Sequence, residues 1–352
     1  MNGSIIFAID SQKWRSSLKP FQHVDVCYLP EYHVAYCRRI KGSKPILWCF
    51  DDGKDFFCYP FLKTPIVFQK LNGSREETNY FDISSVYGYS GPLSTTVDDN
   101  FLIKAWSAFD VFALNNKIIA EFTRFSLYAD NSIFAHKDTK VEFNRLSAVS
   151  YLTKSIDLLF TNLGKKTRNM IRKAQKLNFK VEELELKSYL NEFRVLYDQT
   201  MLRNKANEFF LYDKQYYMDL LKLPNDELRL FCVFDNNKMV AAAIALVHKK
   251  CALYHLGASL NEFSKYGLGN LVMFEMSKAL IKSGIEFLIL GGGRSRLKND
   301  DLFRFKKNNA THVANYYIGK RIINTLAYKD IINIWESFYN KKVESNKLLF
   351  YR

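Results

Sequence analysis

Cysteine is sparse and badly spaced for chemistry. The six cysteines, Cys27, Cys37, Cys49, Cys58, Cys232 and Cys251, include no C-x-x-C pair, which excludes the common zinc and thiol-redox motifs. The six histidines are scattered, without H-E-x-x-H, so no metal site is expected. No apolar run approaches the ~18 residues of a membrane-spanning helix. The start, MNGSIIFAIDSQKW, has neither a basic segment nor a long apolar core. A signal peptide is therefore not expected, and a reducing cytoplasm is the expected location. No stretch rich in Pro, Gly or Ser separates the parts of the chain, so its domains are expected to pack rather than hang on a tether. The full dinucleotide fingerprint, the P-loop lysine motif and any DNA-binding motif are missing. No catalytic triad or carboxylate pair can be read from spacing. Acid is also scarce, with 36 Asp and Glu against 51 Lys and Arg, a net charge of +15. That balance favours polyanionic partners: nucleic acid, nucleotide diphosphates or an anionic membrane face.

What is present is a globular chain of 352 residues, 48% hydrophobic and 15% aromatic, long enough for two domains. The first part, residues 1–150, carries short strand-like runs at Val24–Tyr28, Ile46–Phe50 and Phe56–Phe61. Its glycines and proline mark a turn at Tyr87–Pro92. Asp98–Asn116 has helical spacing, with Phe101, Ala105, Ala108 and Phe112 on one side. From Asn162 onward the pattern changes. Gly164–Leu177 reads as a helix with Met170, Ile171, Ala174 and Leu177 on one face and lysines and arginines on the other. Helices are expected at Lys187–Arg203 and Asp213–Leu223. Strands Leu230–Phe234 and Met239–His248 are joined by Asp235-Asn236-Asn237-Lys238, a good hairpin turn. A strand at Cys251–Gly257, a helix at Asn270–Ser283 closed by Gly284, strands at Ile285–Leu290 and His312–Lys320, and a last helix at Asp330–Lys341 complete a mixed α/β arrangement.

Three motifs carry possible chemistry. In Glu286–Lys307, EFLILGGGRSRLKNDDLFRFKK, a buried strand meets three glycines and then a block of carboxylate, aromatic and ammonium groups. Sites of α/β folds tend to sit at strand ends of this kind. In Ser264–Asn270, Gly267 and Gly269 stand two apart at a helix start, where free N–H groups can receive a pyrophosphate. An ordinary tight turn would have the same residues. The basic helix has seven positive charges between Lys165 and Lys180 and no acid. Either it touches phosphates or it is a solvated face.

Taken in order, these pieces resemble the Fem-type transferases, the FemAB/FemX-related members of the GNAT acyltransferase superfamily. Leu163–Ala174, LGKKTRNMIRKA, looks like the basic helix that opens their second domain. Tyr254–Ser259 looks like their central strand and its exit, and Gly269-Asn270-Leu271 fits the segment after it. Leu290–Lys307 is similar to their L-G-G-G…D-x-L-F-x-F-K block. Asp82–Pro92 is similar to their D-x-x-x-x-Y-G-Y-x-G-P turn. Departures are Val86 in place of a proline, Asn309 in place of a phenylalanine, and Ser264 where CoA-using GNAT enzymes carry Gln or Arg.

The resemblance implies a mixed α+β fold of two tandem GNAT-like domains, each a mixed sheet flanked by helices. Residues 1–150 would form the first, residues 151–325 the donor-binding second, and residues 326–352 a C-terminal helix returning to the first. The implied reaction is amide formation, in which a neutral amine attacks an activated acyl carbonyl. Lys306 matches the lysine near the reacting carbonyl, where an ammonium stabilises developing negative charge, and Phe305 would support it. Arg168, Arg172, Arg203, Tyr254, Asp300 and Tyr89 are the expected substrate-binding residues, with Asp300 anchoring the loop rather than acting as a base. Gly267, Gly269 and Asn270 are the expected donor-binding residues. Acyl-CoA or aminoacyl-tRNA would serve as co-substrate, with no tightly bound cofactor. The acceptor would be a phosphorylated glycan or peptide precursor of the cell envelope, a muropeptide or an amino sugar. Peripheral membrane association is compatible with this. The alternative is a non-catalytic basic module that binds RNA or an anionic membrane surface; such a module has no need of Phe305-Lys306 after a glycine turn.

Overall fold

Period-two alternation lays out the first sheet. Along strands Lys44–Asp51 and Phe56–Gln69, Ile46, Trp48 and Phe50 and then Phe57, Tyr59 and Phe61 point to one face, where all are buried. Leu47, Cys49, Cys58 and Leu62 fill the other face and are equally buried. A sheet covered on both sides reads as a continuous apolar run, which is how these segments look in sequence. The computed structural model describes every residue except Met1, Asn2, Leu71, Asn72, Thr153, Lys154, Arg296, Lys298, Ser345 and Asn346.

In chain order the strands are β1 (Ser4–Phe7), β2 (Lys44–Asp51), β3 (Phe56–Gln69), β4 (Arg75–Ser84), β5 (Leu93–Ser94), β6 (Ile118–Arg124), β7 (Lys140–Tyr151), β8 (Glu182–Leu184), β9 (Leu228–Asp235), β10 (Lys238–His248), β11 (Cys251–Ser259), β12 (Phe287–Gly291) and β13 (His312–Ile322). The chain divides into two compact units. One comprises Met1–Gln22, Cys27–Asn144 and Tyr317–Arg352; the other comprises His23–Val26 and Arg145–Tyr316.

In the first unit the strands run β1-β2-β3-β4-β6 and then the end of β13, with β5 on β3. The β4–β6 pair is parallel; its neighbours β3–β4 and β6–β13 are antiparallel. Helix Asp99–Asn115, capped by the Asp98 carboxylate on Phe101 N, lays Phe101, Ala105, Trp106 and Phe109 on the aromatic face. Trp48 meets Phe109 edge-on at 5.2 Å, and Phe57 meets Trp106 at 5.3 Å. Ala108 and Phe112, expected on the buried face, are only half-buried at its margin. The last helix starts earlier than its spacing predicts, at Thr325, because Asn324 caps it by accepting from Ala327 N. Its Tyr328 and Ile331 pack with Ile66, Phe68 and Phe350 in the first unit. Val24–Tyr28, expected as a strand, is instead a buried segment ending in a short 3-10 turn, Val26–Tyr28. Pro30 then starts helix Pro30–Cys37, where its missing N–H costs nothing.

In the second unit the order is β7-β12-β11-β10-β9-β8, the β7 part being Arg145–Tyr151. The β11–β12 pair is parallel, and β10–β11 and β12–β7 are antiparallel. This repeats the first unit: antiparallel, parallel, antiparallel, with a long helix bridging the parallel pair. Helix Leu268–Lys282 plays that part here, as Asp99–Asn115 does there. The fold is thus two GNAT-like α/β units of the same topology. The expected hairpin is present. Asp235 pairs with Lys238, and Asn236 and Asn237 between them have φ of 48° and 63°, the backbone of a two-residue turn. Leu177, expected on the buried face of helix Lys165–Lys176, is 48% exposed at its C-cap.

Candidate active site

The two parallel strand pairs differ at their ends, and that difference locates the site. In the first unit β4 and β6 stay together. After Ser84↔Phe122 the chain continues with Ser85 N on Phe122 O at 3.0 Å and Ser90 N on Arg124 O at 2.8 Å. The turn Tyr87–Pro92 thereby fills the strand end. Asn131 clamps it, donating to Ser90 O at 3.0 Å and Pro92 O at 2.8 Å. Gly88 and Gly91 have φ of 122° and 105°. A Cβ on Gly88 would lie 2.8 Å from Cys27 Sγ, so glycine is required there. Tyr89, one of the expected substrate contacts, is buried in this turn.

In the second unit the corresponding strands part. Pairing of β11 with β12 ends at Leu253↔Ile289. β12 then shifts register against β7, so that Gly291 faces Ala148, with φ of 87° at Gly291. On the other side β11 takes up an extra residue, His255, between the pairs Ala245↔Tyr254 and Ile244↔Leu256, a bulge that re-aims its side chains. The glycine run lies in the fork. A Cβ on Gly292 would lie 2.7 Å from Arg145 Cδ, and one on Gly293 would lie 2.3 Å from Asp300 Oδ1. Arg145 holds the run by donating to Gly293 O at 3.0 Å.

The block after the glycines is a helix, Asp301–Asn308. Asp300 caps it, accepting from Phe303 N at 2.9 Å, while its other oxygen takes Ser295 N at 2.9 Å and Ser295 Oγ at 3.1 Å. Burial works against its charge, but the N–H groups of Phe303, Ser295 and Arg294 outweigh that and hold the carboxyl below the usual range. The helix buries Phe303 and half-buries Phe305 and Lys306. Lys306 Nζ donates to Gly292 O at 3.1 Å and lies 5.8 Å from the centre of the Tyr254 ring. Burial lowers its pKa to about 8; Asp300 opposes the shift and Arg145 adds to it. Burial raises the Tyr254 phenol to about 12, so it keeps its proton at neutral pH and can donate. A Cβ on Gly257 would lie 1.7 Å from the Tyr254 hydroxyl, so the phenol lies over that glycine.

The second glycine motif meets this helix. Gly267, with φ of 77°, precedes helix Leu268–Lys282, and its carbonyl takes Asn270 N at 3.0 Å and Leu271 N at 3.1 Å. A Cβ on Gly267 would lie 2.8 Å from Met170 Cβ, whereas one on Gly269 would be in ordinary contact with the Phe305 ring at 3.5 Å. The Asn270 amide oxygen accepts from Asn309 Nδ2 at 2.9 Å, which also donates to Phe305 O at 2.9 Å. Gly269, Asn270, Tyr254, Phe305, Lys306 and Asp300 are thus one neighbourhood. It offers a helix start, a neutral phenol and a cation beside forked strands.

The arginines lie elsewhere in the unit. Arg168 Nη1 donates to Thr161 O and Leu163 O, closing the end of helix Ile156–Asn162. Arg172 lies 5.1 Å over the Phe160 ring. Arg203, exposed, donates to Ser259 O at 2.7 Å at the exit of β11. Sequence reasoning missed Arg145 on the unread strand β7, the bulge, and a Tyr216 Oη–His255 Nε2 hydrogen bond of 2.6 Å. Burial lowers the pKa of His255 to about 3, leaving the ring neutral. The only visible signal was His255 itself, next to Tyr254. Among the described residues no cluster of His, Cys, Asp or Glu could hold a metal.

Comparison with known proteins bears on the fold. Residues 165–301 match the family model described as Acetyltransferase (GNAT) domain. That segment is a GNAT acyltransferase domain. No curated protein matches the sequence. Among solved structures, FemX matches with a TM-score of 0.71 at 14% identity, over 94% of this chain and 100% of that one. The C-terminal domain of a putative lysylphosphatidylglycerol synthetase from Agrobacterium fabrum matches with a TM-score of 0.59 at 13% identity, over 94% and 96%. L-PGS from Bacillus licheniformis matches with a TM-score of 0.57 at 12% identity, over 92% and 95%. The chain has the fold of FemX.

Proposed function

We propose that the chain forms an amide on an amine of a cell-envelope precursor, a muropeptide or an amino sugar, using acyl-CoA or aminoacyl-tRNA as donor. The observation that carries this reading is Lys306, an ammonium held on Gly292 O beside the Tyr254 ring at the fork of β11 and β12. Amide formation asks little proton chemistry of the protein. A neutral amine attacks the acyl carbonyl, a tetrahedral oxyanion forms, and the leaving thiol or ribose hydroxyl departs with the proton the amine nitrogen gives up. A cation and a phenolic O–H placed at that oxygen stabilise charge that exists only on the reaction path. Phe305 supports Lys306 from the same helix and covers Gly269. Gly267 and Gly269 open the helix start to a donor phosphate; Arg172 and Arg203 contact phosphates of donor or acceptor, and Arg168 shapes the approach to the basic helix. Tyr89 acts through the turn it stabilises.

The test pairs each donor, acetyl-CoA or aminoacyl-tRNA, with a UDP-linked muropeptide or a UDP-linked amino sugar, and reads the amide product by mass spectrometry. One pairing should give an amide, and Lys306→Ala should abolish most of it. No product from any pairing would defeat the reading. Gly269→Val separates the donors. A branched side chain beside Phe305 should block a CoA pyrophosphate, and intact acyl-CoA binding in that variant would remove the support for CoA.

A further inference from the structure

We propose that the basic helix Lys165–Lys176 docks the protein on an anionic lipid bilayer. The argument is independent of which donor or acceptor the site takes. From Leu158 to Val181 there are seven lysines and arginines and no acid. Of the two arginines, Arg168 is held on the carbonyls of Thr161 and Leu163, while Arg172, exposed, lies over the Phe160 ring. The outward charge is therefore mostly ammonium. Lys165, Lys166, Lys176 and Lys180 are exposed and make no ion pair among the described residues. Ammonium groups on flexible stems suit a diffuse anionic surface; guanidinium forks and open aromatic faces would suit RNA.

The apolar residues point the same way. Leu158 and Leu177, on either side of the basic segment, are 46% and 48% exposed. The exposure of Leu177 is built in, because the helix ends in an ordered cap. Asn178 has φ of 60°, and Phe179 N returns to Ala174 O at 3.2 Å. Phe179 turns in to the rings of Phe263 and Tyr266, while Leu177 stays outside. The aromatics of the segment, Phe160 and Phe179, are both half-buried and packed, so no open ring is offered to a base. Exposed aliphatic chains gain little from RNA, but lysines with exposed leucines in the same segment match the interface of an anionic leaflet.

The experiment is co-sedimentation of the full chain with vesicles of phosphatidylcholine alone and of phosphatidylcholine mixed with phosphatidylglycerol, beside filter binding of bulk tRNA. Binding to the mixed vesicles, none to the neutral ones, and a fall with salt is the expected pattern. At about fivefold per lysine, the variant with Lys165, Lys166, Lys176 and Lys180 changed to Gln should lose on the order of 100-fold or more. Leu177→Asn leaves the charge intact; it should weaken vesicle binding severalfold without altering tRNA binding. Both variants change exposed side chains, and an unchanged melting temperature shows that they fold. Three outcomes overturn the proposal. Wild-type protein does not bind mixed vesicles, Leu177→Asn binds them like wild type, or the quadruple variant loses tRNA but keeps vesicles.

Discussion

If Lys306 works as a cation, its pH dependence is already set by the fold. Burial brings its pKa to about 8, so about nine-tenths of the protein carries the ammonium at pH 7 and about a tenth at pH 9. Turnover with a saturating, non-titrating donor should therefore fall tenfold per pH unit above about 8. Lys306→Ala should cost on the order of 100-fold or more in kcat with little change in KM, the signature of a contact made on the reaction path. Lys306→Arg is the decisive variant, because guanidinium stays charged through this range. Its rate will be lower where the fork does not fit, but the fall above pH 8 should vanish. The acceptor amine titrates too, yet it does so identically in both enzymes, so the difference between the two profiles isolates Lys306. The same shift acts on stability. Lys306 binds its proton less readily folded, at about 8, than at the ordinary 10.5. Its charge therefore costs stability below pH 8, at most about 3 kcal/mol, and the cost disappears between 8 and 10.5. Lys306→Met should melt higher than wild type at pH 7 and lose that advantage by pH 10.5. A wild-type rate in Lys306→Ala, or an alkaline fall retained in Lys306→Arg, would refute the assignment.

Three further outcomes are expected. Gly257→Ala places a Cβ where the Tyr254 hydroxyl lies; turnover should fall at least tenfold, while the melting temperature moves by only a few degrees, and undiminished turnover would remove the phenol from the site. Gly267→Ala should destabilise by about 1–3 kcal/mol, since it combines φ of 77° with a close approach to Met170, whereas Gly269→Ala should fold normally; equal melting curves for the two would contradict the geometry. Asp82 is fully buried, and its pKa rises to about 6 because burial outweighs Arg352, the residue whose guanidinium it holds. Arg352→Met should therefore cost about 3 kcal/mol at pH 7, and less at pH 5 by up to about 1.4 kcal/mol, because the wild-type carboxyl is already mostly protonated there; denaturant melts at both pH values check the difference.

Local pattern carried much of this molecule. Two asparagines between apolar runs specified the β9–β10 hairpin, because a two-residue turn needs positive φ at both positions. The apolar run before Gly291-Gly292-Gly293 specified a buried strand, and the spacing of Phe101 and Ala105 specified the helix over the first sheet. The recognisable motifs were local too, which is why Phe305, Lys306, Gly267 and Gly269 could be named from the chain alone. Tertiary structure decided what those residues meet. Strand β6 hid from pattern reading because it buries Glu121, tolerable only with Arg321 at 3.5 Å and the Tyr59 hydroxyl at 2.9 Å. Arg168 looked like a free cation until the preceding helix presented its carbonyls. Asn309 looked like a departure from pattern until Asn270 stood opposite it. The fork itself depends on where β11 stops pairing with β12 and on a single extra residue, His255, in register with β10. Register and bulges are set by the balance of packing across the whole sheet, so no window of sequence contains them.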